Sequence, residues 1–329
     1  MTAATGTRPA TRAVRRRDVV ALPVAVLVVG GLLATSLAVG AYDLSGDDFG
    51  GEMFFISRVP RTLALVLAGC AMSVAGMVLQ LLTQNRFVEP TTTGTTEWAA
   101  LGLLLVTIFA PRAGLLEKMV VASATALLGT LVFMALLRRV TLRSSLVVPL
   151  IGIMLGAVVS AFTTFLAVST NTLQMLTIWF RGSFTQVVRG QYEVLWVVGV
   201  VVVLAWLVAD RFTVAGLGRD VAVSVGLRYE QVVLIGTALV AVAAGVTTVV
   251  VGFLPFLGLV VPNLVSMARG DDLRSNIPWV CLVGVGVVTA CDILGRTVIA
   301  PFEIPVSVIL GVVGATVFVA LLLRQRPRG

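Results

Sequence analysis

Histidine is absent from this 329-residue chain, and lysine occurs once, at Lys118. Without imidazole there is no histidine general acid or base and no histidine metal ligand. The three cysteines, Cys70, Cys281 and Cys291, lie in or at the end of apolar runs. They form neither a disulfide framework nor a C-x-x-C metal pattern, and free cysteines in such places pack as small hydrophobes. The pattern G-x-x-x-x-G-K is missing as well, so the chain does not bind ATP through a Walker A loop. Charge itself is scarce: 12% of residues are charged and 58% hydrophobic, against about 25% and about 45–50% in a soluble domain. So little charge cannot cover a water-soluble fold of this size. The composition is that of an integral membrane protein.

What charge there is leans positive, 24 basic against 16 acidic residues for a net +8. These residues sit between apolar runs rather than along one face, which points to anionic lipid headgroups and away from nucleic acid. The charge-free runs are 19–42, 62–85, 98–111, 119–137, 144–180, 194–209, 231–268, 275–291 and 304–323. A helix needs about 20 apolar residues to cross a bilayer. Nine crossings would separate two basic tails, whereas the positive-inside rule wants both in the cytoplasm. The run 231–268, interrupted by Gly252, Pro255, Gly258 and Pro262, therefore crosses twice. Run 144–180 turns polar at Ser169-Thr170-Asn171-Thr172 and reads as one helix leaving the membrane. The expectation is an all-α fold of about ten transmembrane helices. Seventeen of the 24 basic residues then fall on the side of the termini, and the acidic loop 43–57 on the other. Residues 1–17 read as a disordered basic cytoplasmic tail and 18–329 as one transmembrane domain. The first run is too long for the h-region of a signal peptide and reads as an uncleaved span.

Small residues recur at helical spacing at Gly69 and Ser73, Ala71 and Ala75, and Gly152, Gly156 and Ser160, a pattern that lets helices approach closely in lipid. The short run 98–111 follows Pro90-Thr91-Thr92-Thr93-Gly94-Thr95-Thr96. Irregular backbone at membrane depth survives only where protein buries it or it lines a cavity. Glu97 is thus either an intramembrane carboxylate on a pathway or an interfacial residue in water. The break at 252–262 occupies a corresponding place in the second half, as in inverted repeats.

Several segments resemble the iron-chelate (FecCD-like) permease family, membrane subunits of ABC importers to which the cobalamin permease is related. They are Arg58-Val59-Pro60-Arg61-Thr62-Leu63, Ala75-Gly76-Met77-Val78-Leu79-Gln80, Leu82 to Pro90, Gly218 to Leu227, Gly252-Phe253 through Pro262, Asp292 to Arg296, and Glu303-Ile304-Pro305 through Ala315. The stretch Glu89 to Trp98 is most similar to the subgroup handling ferric siderophores. The resemblance implies a type II importer fold, a second permease subunit, two ATP-binding cassette subunits that use the ATP, and an extracytoplasmic substrate-binding protein. It implies no cofactor on this chain and no enzymatic step in it.

By the same resemblance, Arg58, Arg61 and Arg296 receive glutamates of the binding protein, a role suited to bidentate guanidinium–carboxylate pairing. Snorkelling to lipid phosphates is the plain alternative. Asn85, Phe87, Ser144 and Ser145 fall where the family closes its cytoplasmic gate, although turns and helix caps use the same residues. Arg219, Asp220, Val221, Ala222, Val225, Gly226 and Leu227 fall on the helix that couples to the ATPase. A cobalamin or haem permease shares this architecture. An ion-coupled secondary transporter would need intramembrane carboxylates, for which Glu97 and Asp292 are the candidates, and a membrane enzyme would need a cluster of nucleophiles or acids that the sequence lacks.

Overall fold

The computed structural model describes residues 11–39, 52, 54–140 and 146–324, and these are helical with irregular connections and no strand. Thirteen α-helices follow in order: α1 Thr11–Ala38, α2 Val59–Thr83, α3 Thr95–Phe109, α4 Leu115–Arg139, α5 Val147–Ser169, α6 Leu173–Phe180, α7 Trp196–Leu207, α8 Ala209–Gly216, α9 Arg219–Ser224, α10 Tyr229–Val250, α11 Leu257–Arg269, α12 Leu273–Thr297 and α13 Val306–Arg324. Among the described residues six helices are long and apolar enough to cross a membrane. The pair α7–α8, bent by 63°, makes a seventh, and three shorter apolar helices are Thr95–Phe109, Leu257–Arg269 and Val306–Ala320. The break expected in run 231–268 is present between α10 and α11, and run 144–180 divides at its polar stretch into α5 and α6. One boundary differs. Helix α1 starts at Thr11, so residues 11–17 of the expected disordered tail are helical. Alanine and arginine are good helix formers, and a long apolar helix directly behind them supplies the costly nucleus.

The end of the bundle that carries Arg58 and Arg61 is called upper here, and the end with Gln84 and Arg219 lower. Helix α2 is central: nearly every residue from Thr62 to Thr83 is buried, with α10, α11 and α12 packed around it. The small residues explain the approach. A Cβ on Gly76 would sit 2.0 Å from the Gly258 carbonyl oxygen, and one on Gly284 would sit 2.2 Å from Ser73 Oγ and 2.7 Å from the Gly69 carbonyl oxygen. Gly152 and Gly156 of α5 likewise face the backbone of Thr92 and Gly94. Helices α1 and α5 lie at the periphery and expose Leu27, Val28, Met154, Val158 and Phe165, as lipid-facing surfaces do.

Two irregular segments run at membrane depth. Helices α3 and α4 pack side by side, and Thr95 Oγ1 meets Thr130 Oγ1 at 2.8 Å. At about 1.5 Å per residue, Thr130 is about 22 Å along α4 from its upper end and about 14 Å from its lower end. Residues 84–94 therefore leave the lower end of α2 and climb back into the bundle before α3 begins. The second segment, 251–256, descends from the upper end of α10 to α11. Gly252 takes φ 90° there, and a Cβ on it would meet the Trp179 carbonyl oxygen at 2.3 Å, so only glycine fits. Protein buries both segments, and they are tied together: Glu89 is fully buried, and its Oε1 accepts from the Phe256 N–H at 2.8 Å and from Thr91 Oγ1 at 2.5 Å. A carboxylate is thereby set against the start of α11, where backbone N–H groups lack helical partners.

Candidate functional site

The upper end holds a buried ion cluster around Asp292 of α12, which has no exposed side-chain surface. Its Oδ1 accepts from Arg61 Nη2 at 2.7 Å and Nε at 3.2 Å, and its Oδ2 lies 2.7 Å from Arg296 Nη2. Arg61 also donates to both oxygens of Glu303, at 3.1 and 3.0 Å, and Thr185 Oγ1 donates to Glu303 Oε2 at 2.5 Å. Burial acts to raise the Glu303 carboxyl, but the hydrogen bonds from Arg61 and Thr185 outweigh it and hold the group below its ordinary value. The cluster contains two cations and two anions. It is electrically balanced, as a desolvated site must be.

The three arginines expected to receive the binding protein's glutamates are all engaged within the chain, and Arg61 and Arg296 converge on Asp292. Arg58 donates to the Leu37 and Ala38 carbonyls at 3.0 and 3.1 Å. Arg296 donates to the Ser36 and Val39 carbonyls at 3.1 and 2.6 Å and to Ser36 Oγ at 2.7 Å. Both thus close the C-terminal end of α1, whose last carbonyls have no helical donors and carry the negative end of its dipole. Arg61 belongs instead to the Asp292–Glu303 pair. Arg61 and Arg296 keep only 12% and 6% of their side-chain surface exposed. Asp292, considered above as an ion-coupling carboxylate, is fully committed to these two guanidinium groups.

Two open cavities adjoin one another. The upper one, of about 920 Å³, is lined by Lys118, Trp179, Arg181, Gln186, Gln191 and Glu303 among others. The lower one, of about 770 Å³, is lined by Thr91, Glu97, Ser160, Thr164, Phe253 and Val308 among others. Arg181 and Pro305 line both. Glu97 is half-buried in the first turn of α3, and its Oε2 accepts from Thr96 Oγ1 at 3.0 Å. Glu97 lies level with the interior of α4, since α3 begins beside Thr130.

Asn85 and Phe87 lie in the segment after α2, while Ser144 and Ser145 fall outside the described residues. Asn85 Oδ1 accepts from the Phe87 N–H at 2.9 Å, and Phe87 is buried with its ring edge-on to Phe318 of α13, 5.6 Å between centroids. The Arg86 carbonyl accepts from Asn263 Nδ2 of α11 at 2.7 Å. This segment is therefore locked to α11 and α13 of its own chain.

The expected coupling stretch forms α9 at the lower end, entered through Gly218 at φ 111°. Arg219, Asp220, Val221, Val225 and Gly226 are exposed. Ala222 is not: it is fully buried, and Leu227 packs against the core. A six-residue helix has one inward position per turn, and Ala222 holds it, so these two residues fasten the helix rather than present it. The exposed apolar strip is Leu217, Val221, Val223 and Val225.

The sequence model of the FecCD transport family matches residues 20–324. The chain belongs to that family. Its FecCD relatives include the petrobactin import system permease protein FatD of Bacillus anthracis, 56% identical over 92% of this chain and 91% of that protein. The ferric-anguibactin transport system permease protein FatD of Vibrio anguillarum is 38% identical over 91% and 97%. The fold matches a solved structure of a metal-chelate type ABC transporter in an inward-facing conformation, with a TM-score of 0.80 at 23% identity over 92% of this chain and 99% of that one. The all-α importer fold implied by the sequence resemblance is the fold observed. Sequence reasoning missed Glu89, Thr185, Arg181 and the pairing role of Glu303. Only the Asp292–Arg296 pair carried a local signal, its spacing of four on one helix face.

Proposed function

We propose that this chain is the membrane-spanning permease subunit of a binding-protein-dependent ABC importer that carries a ferric siderophore across the cytoplasmic membrane. The observation that carries the reading is the end-to-end likeness to two permeases whose names specify siderophore import. Petrobactin is the first cargo to test, because the permease named for it is 56% identical. In this reading the six long helices, the bent pair and the three shorter apolar helices make ten crossings. Both termini and α9 are then cytoplasmic, and the upper end faces outward.

A second permease copy or paralogue completes the path, and two ATPase subunits seat below, with Leu217, Val221, Val223 and Val225 offering them an apolar strip that otherwise lacks a cover. A substrate-binding protein docks above, near Arg58, Arg61 and Arg296. Asn85, Phe87, Ser144 and Ser145 form part of the lower gate. ATP binding and hydrolysis in the partners move the path between outward and inward access. This chain binds no cofactor and makes or breaks no covalent bond. Glu97, facing the lower cavity, lies on the pathway.

The test is uptake of iron-loaded siderophores by iron-starved cells with and without the gene, with cobalamin run in parallel. Loss of one siderophore class alone is the expected result. Loss of cobalamin uptake, or no loss at all, overturns the assignment of cargo.

A further inference from the structure

The two cavities meet at one cation. Arg181 follows α6, and its main-chain carbonyl accepts a hydrogen bond from Ser307 Oγ at the start of α13, which fixes its backbone at the junction. Among the described residues its guanidinium has no carboxylate partner, and neither has the ammonium of Lys118. Both line the upper cavity. The carboxylate in that lining, Glu303, is already taken by Arg61 and Thr185. Among the described residues the upper cavity thus presents two positive charges without a carboxylate partner, with the amides of Gln186 and Gln191 beside them. A cleft lined by one sign of unpaired charge raises the local concentration of the opposite ion. Its volume of about 920 Å³ suits a ligand of several hundred daltons. The lower cavity shares Arg181 but adds the carboxylate of Glu97, which offsets it. The upper cavity, with Lys118 added to Arg181, is therefore the more favourable of the two for an anion.

We propose that the upper cavity is the receiving site for cargo and that it selects ferric chelates of net negative charge, held by Arg181 at the neck and Lys118 at the wall. The proposal rests on the importer reading and adds the charge class of its cargo and the residues that sense it. A neutral chelate gains nothing from either side chain, and an excess of salt weakens the attraction because the cavity opens to water.

Trp179 lines the same cavity and serves as the reporter. The full chain in lipid nanodiscs is titrated with an anionic ferric tris-catecholate complex and with a neutral ferric tris-hydroxamate complex, and tryptophan quenching is followed. The anionic complex is expected to quench saturably, and W179F to lose that component. R181Q should raise the half-saturating concentration about tenfold, the equivalent of one lost charge contact, R181K should recover most of it, and K118Q should raise it less. R112Q, a cation outside the lining, should leave it unchanged. Equal half-saturation by the two complexes, or no change in R181Q, overturns the proposal. Uptake in cells separates the two readings. Charge-selective binding without any uptake that depends on this chain refutes the importer and leaves the site standing, while chain-dependent uptake with charge-blind binding refutes the site alone.

Discussion

Replacing Asp292 should cost more stability than replacing any other acidic residue at the upper end, and the structure gives the scale. The carboxylate has no exposed surface and sits 2.7 Å from each of two guanidinium groups. Removing one partner of a buried ion pair costs about 3–5 kcal/mol, most of it the penalty of the charge left behind. Here Arg61 keeps Glu303, and Arg296 keeps Ser36 and the Val39 carbonyl, so D292A belongs near about 3 kcal/mol, the lower end of that range. D292N keeps an acceptor for Arg61 but turns a donor toward Arg296, and should lose about 2 kcal/mol, the worth of one hydrogen bond to a charged group. E303Q should cost about 1 kcal/mol or less, because Glu303 is 29% exposed and its pair is partly screened. Unfolding of the purified chain in mixed micelles of rising dodecyl sulfate content measures all three. The double variant D292N/R296Q should recover part of the loss, since it removes the orphaned charge together with its partner. D292N within about 0.5 kcal/mol of the parent, or E303Q costing more than D292A, would refute the account of the cluster as a desolvated, balanced unit.

Gly76→Val would put a methine carbon where only 2.0 Å separates the position from the Gly258 carbonyl oxygen; overpacking of this kind costs about 1–3 kcal/mol, read as a lower unfolding midpoint, whereas Gly31→Val in open space should be neutral. Charge reversal at Arg58 is expected to weaken docking of the binding protein about tenfold or more and to loosen the end of α1, where Arg58 holds the Leu37 and Ala38 carbonyls; unchanged affinity of the folded protein in a pull-down titration would remove Arg58 from the dock. V221D, at a position 45% exposed, should leave the melting profile intact and uncouple ATP hydrolysis from transport in proteoliposomes; wild-type uptake would count against α9 as the coupling element. The Glu303 carboxyl lies below its ordinary value of 4.5 in the folded chain, so its pairing stabilises fully above that value and is lost as pH falls through the lower, folded one. Acid melting should therefore show a loss of stability below about pH 4.5 that E303Q reduces.

Much of this protein was legible from local pattern alone. Charge-free runs specify membrane helices because a buried backbone in lipid must satisfy itself within each segment. The breaks near residues 90–97 and 252–256 could be read because proline and glycine act on their own backbone and their neighbours. The polar stretch 169–172 ended α5 for the same local reason. The small-residue spacings at Gly69 and Gly152 predicted close packing, though not the partner on the other side.

Tertiary structure alone decided what those partners are. Arg61 and Asp292 are 231 positions apart, and Glu89 and Phe256 are 167 apart; no periodicity links such positions, because their meeting depends on which helix faces which. The partners of the three arginines were equally illegible: Arg58 closes the end of α1, Arg61 pairs with Asp292 and Glu303, and Arg296 does both, since each side chain follows the nearest unsatisfied carbonyl or carboxylate. That Ala222 turns inward was not legible, because a six-residue helix is too short for its own pattern to reveal a buried face. The sequence by itself determined where the apolar helices lie and where they break, since both are settled within a few residues. The upper cavity lined by Arg181 and Lys118, and the buried pairs that set its wall, exist only once distant segments have packed together.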